Sequence, residues 1–231
     1  MELRARPLIH AVDPYSGLNL SGYEPDLQGW GSRHDIFARV LAAIDARDIL
    51  EIGSWKGASA IHMARWQQSL GRFGELGETE IVCVDTWLGS LEFWTSHGDA
   101  QRYQALEMCC GYPTVYYTFL RNVAALGFAP VVTPFPVTSA IAARFFAHHE
   151  LSFDVIYVDG SHDYEDVCAD LAAYWPLVRP GGLMFGDDYC REWPGVVGAV
   201  DEFAGRVNRS PESSDEKWLF RKPLEGVSCP T

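Results

Sequence analysis

From His34 onward the apolar residues recur in two alternating rhythms. In HDIFARVLAAID, Ile36, Val40, Leu41 and Ile44 fall at helical spacing, whereas ILEIG at 49–53 is a short unbroken apolar run ended by glycine. The first rhythm predicts an amphipathic helix and the second a buried strand. Further helices are predicted over 56–70, 114–126, 139–149, 164–178 and 196–207, and further strands over 81–85, 130–135, 153–159 and 181–188. Strands alternating with helices of this length require right-handed crossovers and a parallel sheet covered on both faces. The expected fold is α/β, a doubly wound, mostly parallel, Rossmann-like sheet.

Three stretches fall outside this rhythm. Residues 1–33 are rich in Pro, Gly, Tyr and Asn and lack a sustained period, which predicts an N-terminal arm or lid ahead of a domain at 34–231. The connection between Asp85 and Thr114 is long for this kind of fold, so it is expected to be functional or to hide a helix. After the last predicted helix only WLFRK, around Trp218 to Arg221, reads as a strand, which predicts a shortened C-terminal sheet edge.

Length and composition narrow the function. With 231 residues, 48% hydrophobic and 21% charged, the chain suits one large domain, or one domain with an arm, and can bury an ordinary core. Its 18 Lys+Arg against 31 Asp+Glu give a net charge of −13. That balance argues against nucleic acid, whose affinity comes from many cationic contacts, and favours small-molecule partners. No apolar run approaches the roughly 20 residues that cross a bilayer, and the first residues lack a sustained apolar stretch like that of a signal peptide. The expectation is a cytoplasmic protein without a membrane partner, with homo-oligomerisation left open. The cysteines at 83, 109, 110, 168, 190 and 229 make no C-x-x-C pair or zinc spacing and read as reduced packing thiols.

The first strand ends as Glu51-Ile-Gly53-Ser-Trp-Lys-Gly57 and runs into a helix, while Asp85 ends the second strand. In an open parallel sheet, ligands bind beyond the carboxyl ends of the strands, near the point where the strand order reverses. Glycines at 53 and 57 permit a tight turn and close approach of a ligand, and a carboxylate at the position of Asp85 can accept both hydroxyls of a ribose. The pattern is E-x-G-x-x-x-G and not the G-x-G-x-x-G of a pyrophosphate site. S-adenosylmethionine carries a sulfonium and an amino group but no phosphate, so a carboxylate such as Glu51 suits it better than it suits a dinucleotide.

Together, ILEIGSWKGASA, IVCVDTWLGS and DVIYVDGSHDYEDVCADL followed by LVRPGGLMFGDDY resemble the class I S-adenosylmethionine-dependent methyltransferases, in particular the macrocin and mycinamicin type of sugar O-methyltransferase. The resemblance covers about His34 to Val207. It implies that Gly53, Gly57 and Glu51 lie at the cofactor's amino-acid end and Asp85 on its ribose. It also implies that Trp87 and Ser139 enclose the adenine, and that the arm with Gly29-Trp30 closes over cofactor and substrate.

Asp159, Asp187 and Asp188 stand at the ends of two strands that are neighbours in that fold. Like charges so close raise one another's pKa, and a divalent ion such as Mg²⁺, which prefers hard oxygen ligands, would reconcile them. The resemblance assigns these aspartates as metal ligands. A sugar hydroxyl is a poor nucleophile at neutral pH, so a base should lie within hydrogen-bond reach. His162, three residues past Asp159, is the candidate, as in the mycinamicin-type enzymes. The leading expectation is an O-methyltransferase transferring a methyl group to a hydroxyl of a sugar or glycosylated natural product. The alternatives are a metal-independent methyltransferase, a nicotinamide-dependent oxidoreductase and a non-catalytic cofactor-binding subunit.

Overall fold

The computed structural model describes residues 3–73, 79–95 and 100–224. Among the described residues seven strands lie in one sheet: β1 (Asp48–Ile52), β2 (Glu80–Asp85), β3 (Val132–Pro136), β4 (Phe153–Val158), β5 (Val178–Gly186), β6 (Glu212–Ser214) and β7 (Lys217–Arg221). Their order is β3-β2-β1-β4-β5-β7-β6, with the first five parallel and β7 antiparallel to both β5 and β6. The strand order therefore reverses between β1 and β4, which opens a crevice beyond their carboxyl ends.

Helices cover both faces. After a single turn α1 (Arg6–Ile9) come α2 (Ile36–Ala43), α3 (Ala58–Ser69), α4 (Leu91–Thr95), α5 (Ala100–Ala105), α6 (Val115–Ala125), α7 (Ser139–His148), α8 (Tyr164–Tyr174) and α9 (Pro194–Val207). Alternate residues of each strand point to opposite faces. Ile49, Val155 and Tyr157 thus join Phe37, Ile61 and Phe119 in one core, while Leu50, Ile156 and Val158 join Phe146, Leu171 and Val200 in the other.

The fold departs from the sequence pattern in two places. Helix α8 stops at Tyr174 and a 3₁₀ turn, Trp175–Leu177, takes over. Pro176 has no N–H to continue the helix, and β5 starts at Val178, earlier than the apolar run suggests. The 86–113 connection contains two short helices, α4 and α5, which is one of the two alternatives expected for it. The sheet edge carries a second strand, β6, beyond the one expected. It is only three residues long, so the edge is short, but the closing hairpin is present.

The arm is tied down along its length. Backbone N–H groups of Arg4, Ala5 and Arg6 donate to the Glu80 carboxylate at the amino end of β2, at 2.7, 2.8 and 2.9 Å. The Tyr15 hydroxyl donates to the Val132 carbonyl at 2.8 Å, and that of Tyr23 to Asn122 Oδ1 at 2.8 Å. The segment thus runs from the base of the sheet to the rim of the crevice, where Gly29, Trp30 and Gly31 line the cleft.

Candidate active site

The crevice is a cleft of about 1150 Å³, larger than the roughly 300–1,000 Å³ usual for one small-molecule site. Nine carboxylates line it against three lysine or arginine side chains among the described residues, so it favours cationic ligands over phosphates.

One wall is the turn after β1. Gly53 has φ +83° and donates its N–H to the Val84 carbonyl at 2.9 Å. A Cβ there would overlap the Asp159 carbonyl oxygen, so glycine is required by both conformation and space. Asp85 closes the turn: one oxygen accepts the N–H groups of Ser54 and Trp55 at 3.0 and 2.9 Å, and the other that of Trp87 at 2.7 Å. Burial raises its pKa and the backbone hydrogen bonds oppose the rise. Those bonds hold Trp55 at φ +46°, an uncommon conformation for a bulky residue. Its ring meets Phe93 at 4.8 Å and Trp30 at 6.4 Å between centroids. Three separate segments thereby build one aromatic group at the cleft.

Three residues expected at the cofactor do not face the cleft. Glu51 is wholly buried beneath it, accepting a hydrogen bond from the Ser59 hydroxyl and lying 3.5 Å from the Cys83 thiol. Burial pushes its pKa up to about 7. Gly57 caps α3 at φ +84°, and a Cβ on it would press on the Phe119 ring at 3.0 Å. Trp87 is 1% exposed and packs on Tyr116 and Phe119, with centroids 4.7 and 4.9 Å away, its indole N–H donating to the Trp55 carbonyl at 2.7 Å. It belongs to the core and supports the turn from below. Ser139, by contrast, is on the cleft wall, where its hydroxyl donates to Asp170 and its carbonyl accepts from the Tyr174 hydroxyl at 2.8 Å.

The carboxylate cluster begins beside the turn after β1, at the end of the neighbouring strand β4. Asp159 and Asp187 follow β4 and β5, which are hydrogen-bonded neighbours. One oxygen each of Asp159, Asp187 and Asp188 lies within 4.8 Å of the others. The Tyr157 hydroxyl donates to Asp159 at 2.8 Å, and the Asp188 N–H donates to Asp187 at 2.8 Å. Burial, then the charge of Asp187, pushes Asp159 up to about 7. The three are not uncompensated, as the sequence suggested, because buried Lys217 donates to Asp187. A donor set of hard oxygens from three converging aspartates fits a magnesium-like ion.

His162 spans the cleft between two acids. Its Nε2 is 3.0 Å from Asp188 Oδ2 and its Nδ1 3.3 Å from Glu92 Oε1, and its ring stacks on Trp193 with centroids 3.7 Å apart. Burial pushes its pKa down, but the bonds and charges of Asp188 and Glu92 outweigh this and raise it.

Sequence reasoning missed Lys217, Glu92 and Trp193. Lys217 has a faint signal, a cation opening the apolar run WLF; Glu92, on the short helix α4, and Trp193, at the start of α9, have none. Of the aromatics in 86–113, Phe93 lines the cleft. Trp94 packs edge-on against Tyr103 and Tyr112 is 64% exposed. Among the described cysteines, only Cys83 is buried, while Cys109 and Cys110 are exposed, so the packing reading holds for the first and not for those two. Cys229 lies outside the described residues. No described helix is long and apolar enough to cross a membrane.

Residues 50–189 match the family model described as a methyltransferase domain. Mycinamicin VI 2''-O-methyltransferase of Micromonospora griseorubida is 44% identical over 50 residues, which is 21% of this chain and only 12% of the length of that relative. Among solved structures, CalS11, a calicheamicin methyltransferase, superposes with a TM-score of 0.58 at 18% identity, covering 81% of this chain and 76% of its own. An O-methyltransferase from Bacillus cereus in complex with SAH gives 0.55 at 15% identity, covering 86% and 84%. These two share the fold with this chain. With the family match over more than half its length and the seven-stranded sheet that goes with it, the chain belongs to the methyltransferase domain family.

Proposed function

We propose that this protein transfers a methyl group from S-adenosylmethionine to a hydroxyl of a small molecule, a sugar or a glycosylated natural product, with a divalent ion and His162 assisting. The observation that carries this reading is the convergence of Asp159, Asp187 and Asp188 beside His162, in the same cleft as Gly53 and Asp85. The 50-residue likeness to a sugar O-methyltransferase supports the acceptor class, and the cleft volume leaves room for two ligands.

When bound, S-adenosylmethionine supplies an electrophilic methyl group, lost to the acceptor oxygen as S-adenosylhomocysteine leaves. A divalent ion, when bound, supplies charge stabilisation and lowers a hydroxyl's pKa. The chain's own residues do the rest. Gly53 lets the cofactor lie against the backbone, Asp85 faces its ribose, and the acidic lining suits its sulfonium. Ser139 lies on the side assigned to the adenine, and Trp30, Trp55 and Phe93 cover the opening, which excludes water. The three aspartates would hold the ion. His162 takes the acceptor proton, for which it must be neutral and must release Asp188.

The test is turnover with and without chelator in Asp187→Asn and His162→Ala. Chelation should cut wild-type turnover, Asp187→Asn should be slow in either condition, and His162→Ala should lose most of its rate while still responding to metal. Unchanged turnover in both variants would remove the metal-and-base mechanism and leave the cofactor site standing. A metal-independent methyltransferase is the second reading, favoured by Lys217, which already places a positive charge on the cluster.

A further inference from the structure

We propose that Lys217 is a resident counter-cation of the carboxylate cluster, fixing Asp187 directly and Asp159 through Tyr157, and thereby weakening the cluster's hold on a divalent ion. The inference rests on the metal-binding reading of this site.

Lys217 opens β7, and its side chain passes under the cleft with 1% of its surface exposed. Its ammonium lies 5.7 Å from the Phe37 ring centroid and 5.5 Å from that of Tyr157. A buried charge is tolerated only with good partners, and these are specific. One N–H donates to Asp187 Oδ2 and another to the Tyr157 hydroxyl at 3.3 Å. The Tyr157 proton then goes to Asp159 Oδ2 at 2.8 Å. The relay ends on a carboxylate at each branch, Asp187 directly and Asp159 through the Tyr157 hydroxyl, so two of the three ligand side chains are oriented without an ion. The arm seals the pair from above: a Cβ on Gly31 would overlap Asp187 and stand 2.7 Å from the Lys217 nitrogen.

Two consequences follow. The cluster stays assembled when no ion is bound, because one of its negative charges is neutralised by the fold. An entering divalent ion meets a fixed positive charge a few ångströms away, and like charges at such distances in a buried site repel strongly. Lys217 is therefore a positioning residue that exchanges metal affinity for a preassembled site. A purely structural lysine would affect stability alone.

The experiment compares wild type with Lys217→Met, Lys217→Gln and Lys217→Arg at pH 8, titrating each with Mn²⁺ by calorimetry and following melting with and without Mn²⁺. Removing the charge should tighten Mn²⁺ binding by about tenfold or more, lower the melting temperature without metal and enlarge the rise on adding it. Arginine should restore wild-type behaviour in both. Lys217→Gln, which keeps hydrogen-bonding capacity, gives the same test if the methionine variant does not fold. Equal or weaker Mn²⁺ binding in the neutral variants overturns the proposal, as does the absence of binding in wild type and variants alike. Loss of wild-type binding in Asp187→Asn sustains the metal site whatever Lys217 does, so the two readings fail separately.

Discussion

His162 and Asp188 share a hydrogen bond of 3.0 Å between Nε2 and Oδ2, so the candidate base is engaged by a candidate metal ligand. The pairing ties two roles together. Asp188 cannot give its charge wholly to both, and a histidine held this way keeps its proton to higher pH than an ordinary one. Burial works against that rise, but the two carboxylates prevail.

The pH dependence follows with its sign. A base acts when neutral, and the pKa of His162 is raised, so kcat/KM should climb as pH rises through neutrality and level off above it. In His162→Ala the climb should disappear and the plateau fall by about two to four orders of magnitude. Steady-state rates from about pH 6 to 9, the range around a raised histidine pKa, check this; a wild-type profile retained in His162→Ala would assign the proton to another group.

Glu51 makes a separate prediction about stability. Its pKa of about 7 in the fold lies above the ordinary glutamate range. The folded chain therefore keeps a proton that the unfolded chain releases, and stability is lost as pH rises from about 4.5 to 7. The loss is on the order of 3 kcal/mol. Glu51→Gln keeps the contact with Ser59 and should be flatter across that window in urea melts, gaining most above the folded-state pKa.

The glycines separate required from incidental. Gly53→Ala meets the Asp159 backbone at positive φ and should cost about 3 kcal/mol or more, with loss of S-adenosylhomocysteine binding by calorimetry. Gly205 lies inside α9, and a methyl group added there would meet nothing within 4 Å. Gly205→Ala should stabilise by about 0.5–1 kcal/mol and leave binding unchanged.

Two tryptophans should behave oppositely. Trp87→Ala opens a hole in the core and should cost about 3–5 kcal/mol. Trp30, 57% exposed at the cleft, should change stability by less than about 0.5 kcal/mol when made alanine. Its loss should weaken S-adenosylhomocysteine or acceptor binding by roughly threefold to tenfold. Denaturant melts and ligand titrations on the same two variants distinguish the roles.

The sheet strands and the helices between Ile36 and Val207 other than α4 and α5 were legible because each buries a face whose period is written in the chain, and the strand ends located Gly53, Asp85 and Asp159 from pattern alone. β6 was not legible, since Glu212-Ser213-Ser214 has no apolar face. The turn after it places Asp215 and Glu216 at φ +46° and +68°, where Asn-Gly would have been the signal.

What the sequence determined by itself was the layered α/β sheet, the rim at which ligands gather and the acidic character of that rim, all properties of local pattern and composition. What only the tertiary structure decided was which side chains reach the rim. Glu51 and Trp87 lie within one or two residues of cleft-lining positions yet turn into the core, because successive strand residues face opposite ways and a loop tryptophan follows its packing. Lys217 and Glu92 arrive from segments 30 residues from Asp187 and 70 from His162. Their charges compensate or restrain the site through contacts made only when the sheet edge and the α4 loop fold against it.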